Sequence, residues 1–440
     1  MSPRQLILKL LDRHEQTDSY ADLVLENELQ KQRLSEQDKA LVQEIFFGVI
    51  RGRKRLDWLI HQFYQGSYEK APRFIRHILQ SSLYQLLYMD RIPDYAAIHE
   101  AVALAILKGG PYWARKINAI LRSFQRDRHR ITLPDRTSQP MEFIAVQYSH
   151  PEWMVARWIK RWGIEETISL CEANNTHPHL SLRVNRLKTT VAELQNLLSQ
   201  FNVPTTPSPF SENFLQAERL PDLSQFEPFQ QGLFSIQDVS AGLACELLTP
   251  QPGEKIIDLC AAPGGKTTYI AELIGDQGNV FAVDRNLSRL RLIRHHLSRL
   301  GCRSIHLVQA DGAQFSCQNA DRVIVDAPCS GLGVLAKRVD LRWKRRPEQI
   351  EELSHLQLQL LINASKLVKR GGVLVYCTCT IEPEENEEVV QKFLQQHKQF
   401  RLDAASNYVS REVTTSEGFV CTYPHRHGID GSFAVRLINQ

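Results

Sequence analysis

Apolar residues in the first part of the chain recur three and four positions apart, which is the spacing of amphipathic helices. Leu41, Ile45 and Val49 follow it, and it returns between Ile78 and Leu87. No alternation of apolar and polar residues, which would indicate a strand, interrupts this pattern. The first part of the chain is therefore predicted to be helical.

Local signals divide this helical part. Ser35 followed by Asp38 predicts a helix start, the segment Gly109–Pro111 predicts a break, and the polar stretch 134–140 predicts a linker. Together they predict an all-helical domain over residues 1–137.

The pattern after the linker is mixed. A helix containing Trp153, Trp158 and Trp162 is followed by a predicted strand at 180–185, a helix at 190–200 and a loop at 204–209. We interpret residues 141–238 as a small α+β module.

Strands and helices alternate in the remaining part, residues 239–440. Strands are predicted at 255–259, 280–283, 305–308, 323–325 and 373–376, and helices after Gly265, at 287–300 and at 347–369. Such alternation is typical of an α/β domain whose mostly parallel, Rossmann-like sheet carries helices on both faces. Ligands of such sheets bind at the carboxyl ends of the strands.

The first strand of this domain runs into a loop rich in small residues. The candidate cofactor-binding residues of the loop are Cys260, Ala261, Ala262, Pro263, Gly264, Gly265 and Lys266. The glycines allow a ligand to approach the backbone before a helix begins. The loop matches neither a P-loop, which requires Gly where Cys260 stands, nor the dinucleotide motif Gly-x-Gly-x-x-Gly.

Acidic residues stand at the ends of four successive predicted strands. They are Asp258, Asp284, Asp311 and Asp326. A single aspartate at a strand end is commonly a helix cap or a turn former. Four of them in equivalent places predict one acidic pocket, in which Asp284 could accept both hydroxyl hydrogens of a ribose and which would suit a positively charged sulfonium cofactor.

Length, charge and cysteine content narrow the class of protein. A chain of 440 residues is too long to fold around a single hydrophobic core, so two or three domains are expected. Its net charge of +4 is mildly basic. Clusters at 51–55 and 126–130 could meet phosphates or could be solvated helix faces. The nine cysteines are unevenly spaced, which predicts reduced thiols. The sequence has no apolar run of eighteen residues and no signal peptide, so we expect a cytoplasmic protein.

Two of the nine cysteines follow predicted strands of the sheet. Cys329 lies in Asp326-Ala327-Pro328-Cys329-Ser330, and Cys379 lies in Thr378-Cys379-Thr380. Most isolated cysteines are small buried hydrophobic residues, and this interpretation is adopted for Cys171, Cys245, Cys302, Cys317 and Cys421. A zinc site is an alternative, and its ligands would be Cys377, Cys379, His425 and His427. We expect no metal, because these spacings are shorter than those of usual ligand pairs.

These segments resemble the signature motifs of the RNA cytosine-C5 methyltransferases. The resemblance rests on the loop 258–267, the segments 326–330 and 376–380, and the run 384–387. The helical N-terminal part is similar to the antitermination factor NusB, and the combination resembles bacterial 16S ribosomal RNA methyltransferases of the RsmB (Sun/Fmu) type. Leu332, Thr380 and Ser432 depart from the residues that are usual in the family.

The resemblance implies a reaction and a set of roles. S-adenosyl-L-methionine (AdoMet) would be the cofactor, Cys379 the nucleophile that adds to C6 of cytosine, and Cys329 the residue that resolves the adduct. Asp326 would lie in the cofactor pocket and could also hold the base. The implied substrate is 16S ribosomal RNA, free or in a partly assembled small subunit, with no membrane partner. We expect the protein to be a monomer.

Other interpretations remain open from sequence. The shared motifs would also suit a methyltransferase for transfer RNA or another ribosomal RNA, and a non-catalytic RNA-binding assembly factor would not need an intact nucleophile. A small-molecule methyltransferase would leave the N-terminal extension unexplained. A basic run at 337–346 could grip phosphates while Trp343 stacks on a base, or it could be a solvated face with Trp343 in the core.

Overall fold

The N-terminal part of the chain is helical, as its apolar spacing predicts. The computed structural model describes residues 1–176 and 179–440. Its first helices are α1 (Pro3–Gln16), α2 (Ala21–Leu29), α3 (Glu36–Phe63), α4 (Arg73–Tyr88), α5 (Asp94–Asp127), α6 (Pro140–Gln147), α7 (Glu152–Trp162) and α8 (Ile164–Ala173), with 3₁₀ turns at Tyr68–Lys70 and Arg128–Arg130. Within the described ranges, no helix has the length and apolar character needed to cross a membrane.

Two predicted boundaries in this part are confirmed. The Ser35 hydroxyl caps α3 by accepting a hydrogen bond from the backbone N–H of Asp38 at 3.1 Å. Gly110 interrupts α5 with a φ of 80° and a ψ of −175°, next to Pro111. The break arises because a non-helical glycine and a proline, which lacks an N–H, follow each other.

A distant segment of the chain completes the helical unit. This compact unit comprises Met1–Thr176 and Leu335–Lys344. Val339 is 2% exposed in the helical core, and the indole N–H of Trp343 donates to the carbonyl of Ile50 at 2.6 Å. The expectation that Trp343 could stack on a base is therefore wrong, and its packing alternative is confirmed.

Arg342 lies inside this unit and is fully buried. Its guanidinium donates to the carbonyls of Ser149 and Asn174 at 3.2 and 3.0 Å and to the side-chain oxygen of Asn175 at 2.8 Å. Burial lowers the pKa of Arg342 to about 9. The interpretation of Arg342 as a phosphate-binding residue is wrong, because the side chain is fully buried and its two terminal nitrogens donate to protein oxygens.

The other compact unit contains a small antiparallel sheet and a large one. The small sheet has the order β2-β3-β1-β4. Its strands are β1 (Leu180–Val184), β2 (Thr205–Pro207), β3 (Phe214–Ala217) and β4 (Phe234–Ile236), with helices α9 (Val191–Gln200) and α10 (Glu227–Gln230). The predicted loop at 204–209 was wrong in part, because β2 pairs with β3 there. A three-residue strand is too short to show a period in the sequence.

The large sheet has eight strands. Its strands are β5 (Lys255–Leu259), β6 (Asn279–Asp284), β7 (Ile305–Gln309), β8 (Ala320–Asp326), β9 (Val368–Thr378), β10 (Phe400–Asp403), β11 (Val420–Thr422) and β12 (Ser432–Asn439). The associated helices are α11 (Val239–Leu248), α12 (Gly265–Leu273), α13 (Leu287–Leu300), α15 (Glu348–Leu367), α16 (Glu387–Gln396) and α17 (Pro424–His427), while α14 (Leu341–Lys344) belongs to the helical unit.

The order of the large sheet brings the predicted site residues to one edge. The order is β10-β12-β9-β8-β5-β6-β7, and β11 pairs with β12. Strands β5 to β9 are parallel to one another, whereas β12 is antiparallel to β9, β10 and β11. The predicted α/β class is confirmed, and the antiparallel strands at the end of the chain are an addition to it.

A buried ion pair ties the small sheet to α12. Arg183 of β1 and Glu272 of α12 are 2.7 Å apart, and both side chains are 0% exposed. The Arg183 guanidinium also donates to the Gly265 carbonyl at 2.7 Å and to the Thr268 hydroxyl at 3.1 Å. Burial raises the pKa of Glu272, although the Arg183 charge lowers it. The start of α12 is thus held by one arginine.

Replacing Arg183 should strongly destabilise this unit. Arg183→Met leaves the Glu272 carboxylate buried without its counter-charge, so the free energy of unfolding should fall by about 3–5 kcal/mol. Chemical denaturation measures it. The control Lys392→Ala removes the exposed Lys392–Glu388 pair, 4.0 Å apart, and should change stability by less than about 0.5 kcal/mol. Equal effects of the two variants would contradict the assigned role of Arg183.

Candidate active site

The predicted cofactor loop follows β5 and leads into α12. Cys260 has a φ of 64° and Gly264 a φ of 102°. A Cβ atom on Gly264 would lie 2.8 Å from Cγ1 of Ile293, so both the backbone angle and the available space require glycine there. The loop therefore packs with its backbone close to α13, as small residues permit.

Asp284 fixes the position of this loop. The side chain is 4% exposed and accepts hydrogen bonds from the backbone N–H groups of Ala262 at 3.1 Å and Asn286 at 2.9 Å. The Ala261 N–H also bonds to the Val283 carbonyl at 3.0 Å. The carboxylate at the end of β6 and the loop after β5 thus form one hydrogen-bonded structure.

Two further aspartates differ in their surroundings. Asp311 is exposed, lies two residues beyond β7, and accepts from the Ala313 N–H at 2.9 Å. Asp258 is fully buried within β5 and accepts from the Thr267 hydroxyl at 2.6 Å. Burial raises the pKa of Asp258 to about 7. Asp258 therefore supports the loop from beneath, and Asp311 closes a surface turn.

Lys266 links the cofactor loop to the neighbouring strand end. Its ammonium lies 2.8 Å from the carboxylate of Asp326, the last residue of β8. Burial alone would lower the pKa of Lys266, but the charge of Asp326 and its hydrogen bond hold that pKa well above the ordinary value. Lys266 is therefore a cation at neutral pH. The ion pair therefore joins the predicted cofactor loop, residues 260–266, to the segment 326–330 that contains Cys329.

The structure brings the two predicted cysteines together. The sulfur atoms of Cys329 and Cys379 are 3.2 Å apart, and the backbone N–H of Cys379 donates to the Cys329 sulfur at 3.3 Å. Both side chains are partly exposed. The hydrogen bond with Cys379 and burial raise the pKa of Cys329 well above its ordinary value. The Cys329 thiol is therefore held in its protonated form.

A buried carboxylate that the sequence did not single out supports both cysteine loops. Glu385 is 0% exposed and accepts from the Ser330 N–H at 2.8 Å and the Ser330 hydroxyl at 2.5 Å. The Ser330 hydroxyl lies 2.8 Å from that of Thr380. Since Ser330 follows Cys329 and Thr380 follows Cys379, this network fixes the two loops to each other. Thr380 stands where Ser is common in the resembled family, and it keeps the hydroxyl group that this arrangement uses.

Two more side chains hold the carbonyls of the Cys329 loop. Gln357 of α15 donates to the Pro328 carbonyl at 2.8 Å and to Glu385 at 2.9 Å. Arg345 donates to the carbonyls of Ser330 at 2.7 Å and Cys329 at 3.2 Å. Arg345, which the sequence grouped with phosphate-binding residues, therefore positions the Cys329 loop.

The zinc alternative has little support in the described residues. Among residues 1–176 and 179–440, no three His, Cys, Asp or Glu side chains are placed to hold a metal ion. The Cys377 thiol is buried and donates to the Val325 carbonyl at 3.5 Å, and His427 Nδ1 accepts from the Tyr423 N–H at 2.9 Å.

Glu385→Gln should loosen the cysteine pair. The amide would place N–H donors against Ser330 and Gln357, which also donate, so the free energy of unfolding should fall by about 1–3 kcal/mol. The negative charge of Glu385 contributes to the raised pKa of Cys329, so alkylation of Cys329 should begin at lower pH in the variant. Peptide mass spectrometry across a pH series resolves each thiol.

The control for this experiment is Glu352→Gln, which changes an exposed carboxylate of α15. It should leave both the stability and the alkylation profile of Cys329 unchanged. An unchanged profile in Glu385→Gln as well would show that Glu385 has no influence on the thiol pair.

Family models match three parts of the chain. The NusB family matches residues 1–126, a ferredoxin-like domain of RsmF/B-like methyltransferases matches 150–221, and the family described as 16S rRNA methyltransferase RsmB/F matches 245–438. The third match contains β5 to β9 and all the predicted site residues.

Relatives and solved structures agree with these matches. The crystal structure of PH0851 covers 100% of this chain and 99% of its own, with a TM-score of 0.83 and 26% identity. That of NSun6 from Pyrococcus horikoshii with SFG covers 64% and 97%, with a TM-score of 0.59 and 25% identity. A protein of Synechocystis sp. named probable ribosomal RNA small subunit methyltransferase B is 38% identical over 453 residues, 99% of each chain. This chain therefore belongs to the ribosomal RNA small subunit methyltransferase B family.

Proposed function

We propose that the protein transfers a methyl group from AdoMet to C5 of a cytosine in 16S ribosomal RNA, with Cys379 as the nucleophile. The observation that carries the proposal is the 3.2 Å approach of the Cys329 and Cys379 sulfurs at the ends of two adjacent parallel strands. The Lys266–Asp326 pair connects this position to the cofactor loop. Membership of a methyltransferase family supports the same reaction.

The residues around the loop suit AdoMet. Gly264 and Gly265 permit close approach to the backbone, and Asp284 provides a carboxylate for ribose hydroxyls at the end of β6. The carboxylates of Asp284 and Asp326, the last residues of β6 and β8, would favour a cation between them. AdoMet, when bound, supplies an electrophilic methyl group attached to a positively charged sulfur.

The pair of thiols has complementary tasks in this reaction. C5 of cytosine is a weak nucleophile, so the Cys379 thiolate adds to C6, and the electron pair displaced from the ring double bond would form the bond from C5 to the methyl group, while the bond between that methyl group and the cofactor sulfur would break with its electrons left on the sulfur. The C5 proton must then leave to a base. The electron pair of the C5–H bond re-forms the ring double bond as the C6–S bond breaks, and Cys379 leaves as a thiolate. Cys329, whose sulfur adjoins that of Cys379, is the group that can exchange a proton with the departing sulfur.

Asp326 would assist this addition. Its carboxylate lies between the Lys266 ammonium, 2.8 Å away, and the Cys377 thiol, 3.8 Å away. We propose that it accepts a hydrogen bond from the exocyclic amine or the protonated N3 of the cytosine as negative charge develops in the ring. Lys266 would hold the carboxylate in that orientation.

Cysteine substitutions should separate these roles. Cys379→Ala should lower methyl transfer by at least about a thousandfold, because no other group supplies the addition to C6. Cys329→Ala should trap a covalent protein–RNA species, visible as a slower band after denaturing electrophoresis. Cys317→Ala, at a partly exposed cysteine outside the site, is the control and should keep full activity. Activity in Cys379→Ala would refute its assignment as nucleophile.

The substrate is tested with labelled AdoMet and unmodified RNA. Methyl transfer should occur to 16S ribosomal RNA from a strain lacking this protein and should saturate at one methyl group per molecule. Bisulfite sequencing of the product would locate the cytosine. Transfer RNA and 23S ribosomal RNA serve as controls, and preferential modification of either would overturn the 16S assignment while leaving the chemistry intact.

A further inference from the structure

The segment around α13 concentrates positive charge. Residues 285–303 contain six arginines, two histidines and no acidic residue, whereas the net charge of the whole chain is only +4. The N-cap of α13 is Asn286, two residues after Asp284, so the helix begins at the cofactor edge of the sheet. This excess therefore lies on an element that starts at the proposed active site.

Two of the six arginines have structural contacts. Arg289 donates to the carbonyl of Ala262 in the cofactor loop. Arg299 donates to the carbonyls of Phe229 and Phe234 at 2.7 and 2.9 Å and lies over the Phe229 ring at 3.9 Å. These two side chains attach α13 to its surroundings and need no ligand to explain them.

The other arginines near the start and middle of α13 have no such role. Arg285, Arg291 and Arg294 are exposed, and none of their side chains forms a hydrogen bond or an ion pair with any described part of the chain. Arg291 and His295, four positions apart, point away from the buried face of Leu290, Ile293 and Leu300, and Arg294, one turn after Leu290, lies at the edge of that face. Arg291 and Arg294 thus present guanidinium groups to solvent, and neither has an ion-pair partner among the described residues.

This arrangement is unfavourable for the isolated helix. Like charges three or four positions apart destabilise a helix by about 0.2–0.5 kcal/mol per pair, and cations near its N-terminus oppose the helix dipole. The first turn of α13 has no acidic residue to compensate. Packing of the buried face maintains the helix, and a polyanion on the exposed face would remove the repulsion.

We propose that the basic face of α13, formed by Arg291, Arg294 and His295 and preceded by Arg285, binds the phosphate backbone of the RNA that flanks the target cytosine. This inference rests on the proposed function for the identity of the polyanion. Charge complementarity selects the ligand, since exposed guanidinium groups form strong hydrogen bonds with phosphate. Such contacts fix the position of the RNA without reading its sequence.

The test is RNA binding measured over a salt series. Arg291→Gln/Arg294→Gln is compared with Arg370→Gln/Arg401→Gln, which removes two exposed arginines from other parts of this unit. Because each phosphate contact contributes about 0.7 to the slope of log K against log salt for single strands, the α13 variant should lose about 1.4 from that slope. Its affinity for 16S RNA should fall about tenfold at low salt, and the control should match the wild type.

Further readouts separate a binding role from misfolding and from failure of the proposed function. Neither AdoMet affinity nor kcat at saturating RNA should change in the α13 variant. Unchanged RNA affinity and slope would overturn the inference, as would a defect seen only with ribosomal particles, which would indicate an acidic protein partner. If the wild type bound RNA through this face but methylated none, the proposed function would fail, whereas the binding of RNA phosphates by this face would stand.

Discussion

The pairing of β8 with β9 is the constraint on which the candidate site depends. The two strands are parallel, and Asp326 lies opposite Cys377. This register ends both strands at the same level, so the short connections that follow can bring Cys329 and Cys379 into contact. A shift of one residue would move one loop by about 3.3 Å and turn its side chains to the other face of the sheet. The buried network of Glu385 with Ser330 and Thr380 then sets the final approach of the two sulfurs.

Much of this arrangement follows from sequence because parallel strands have strong signals. Continuous apolar runs located β5, β6 and β8, and residues placed just beyond them had to gather at one edge. Motif resemblance then distinguished Cys329 and Cys379 from the other cysteines. The antiparallel strands β10 to β12 were not predicted. Strands β10 and β11 have only four and three residues, too few to show a period, and β12 pairs with β9, which is distant in sequence.

The residues that sequence reasoning missed are polar side chains whose burial depends on tertiary structure. Glu385 lies in a run of acidic residues, a pattern that is typical of a solvent-exposed surface, although the run also belongs to a family motif. Arg342 lies in a basic run, yet it is enclosed by carbonyl groups of the helical unit. The exposed arginines of α13 also lie in a basic run, but they face solvent. Charge patterns locate such residues, but only packing decides which of them face solvent.

The segment Leu335–Lys344 has a consequence for the order of folding during synthesis. It contributes Val339 and Trp343 to a unit whose other residues end at Thr176. About 160 residues separate the two parts, which at roughly 5–20 residues per second corresponds to roughly 8–32 s of translation. The nascent helical unit must persist for this interval with part of its apolar surface uncovered. The contacts that Leu335–Lys344 makes with the rest of the helical unit can therefore form only after residues 177–334 of the other unit have been synthesised.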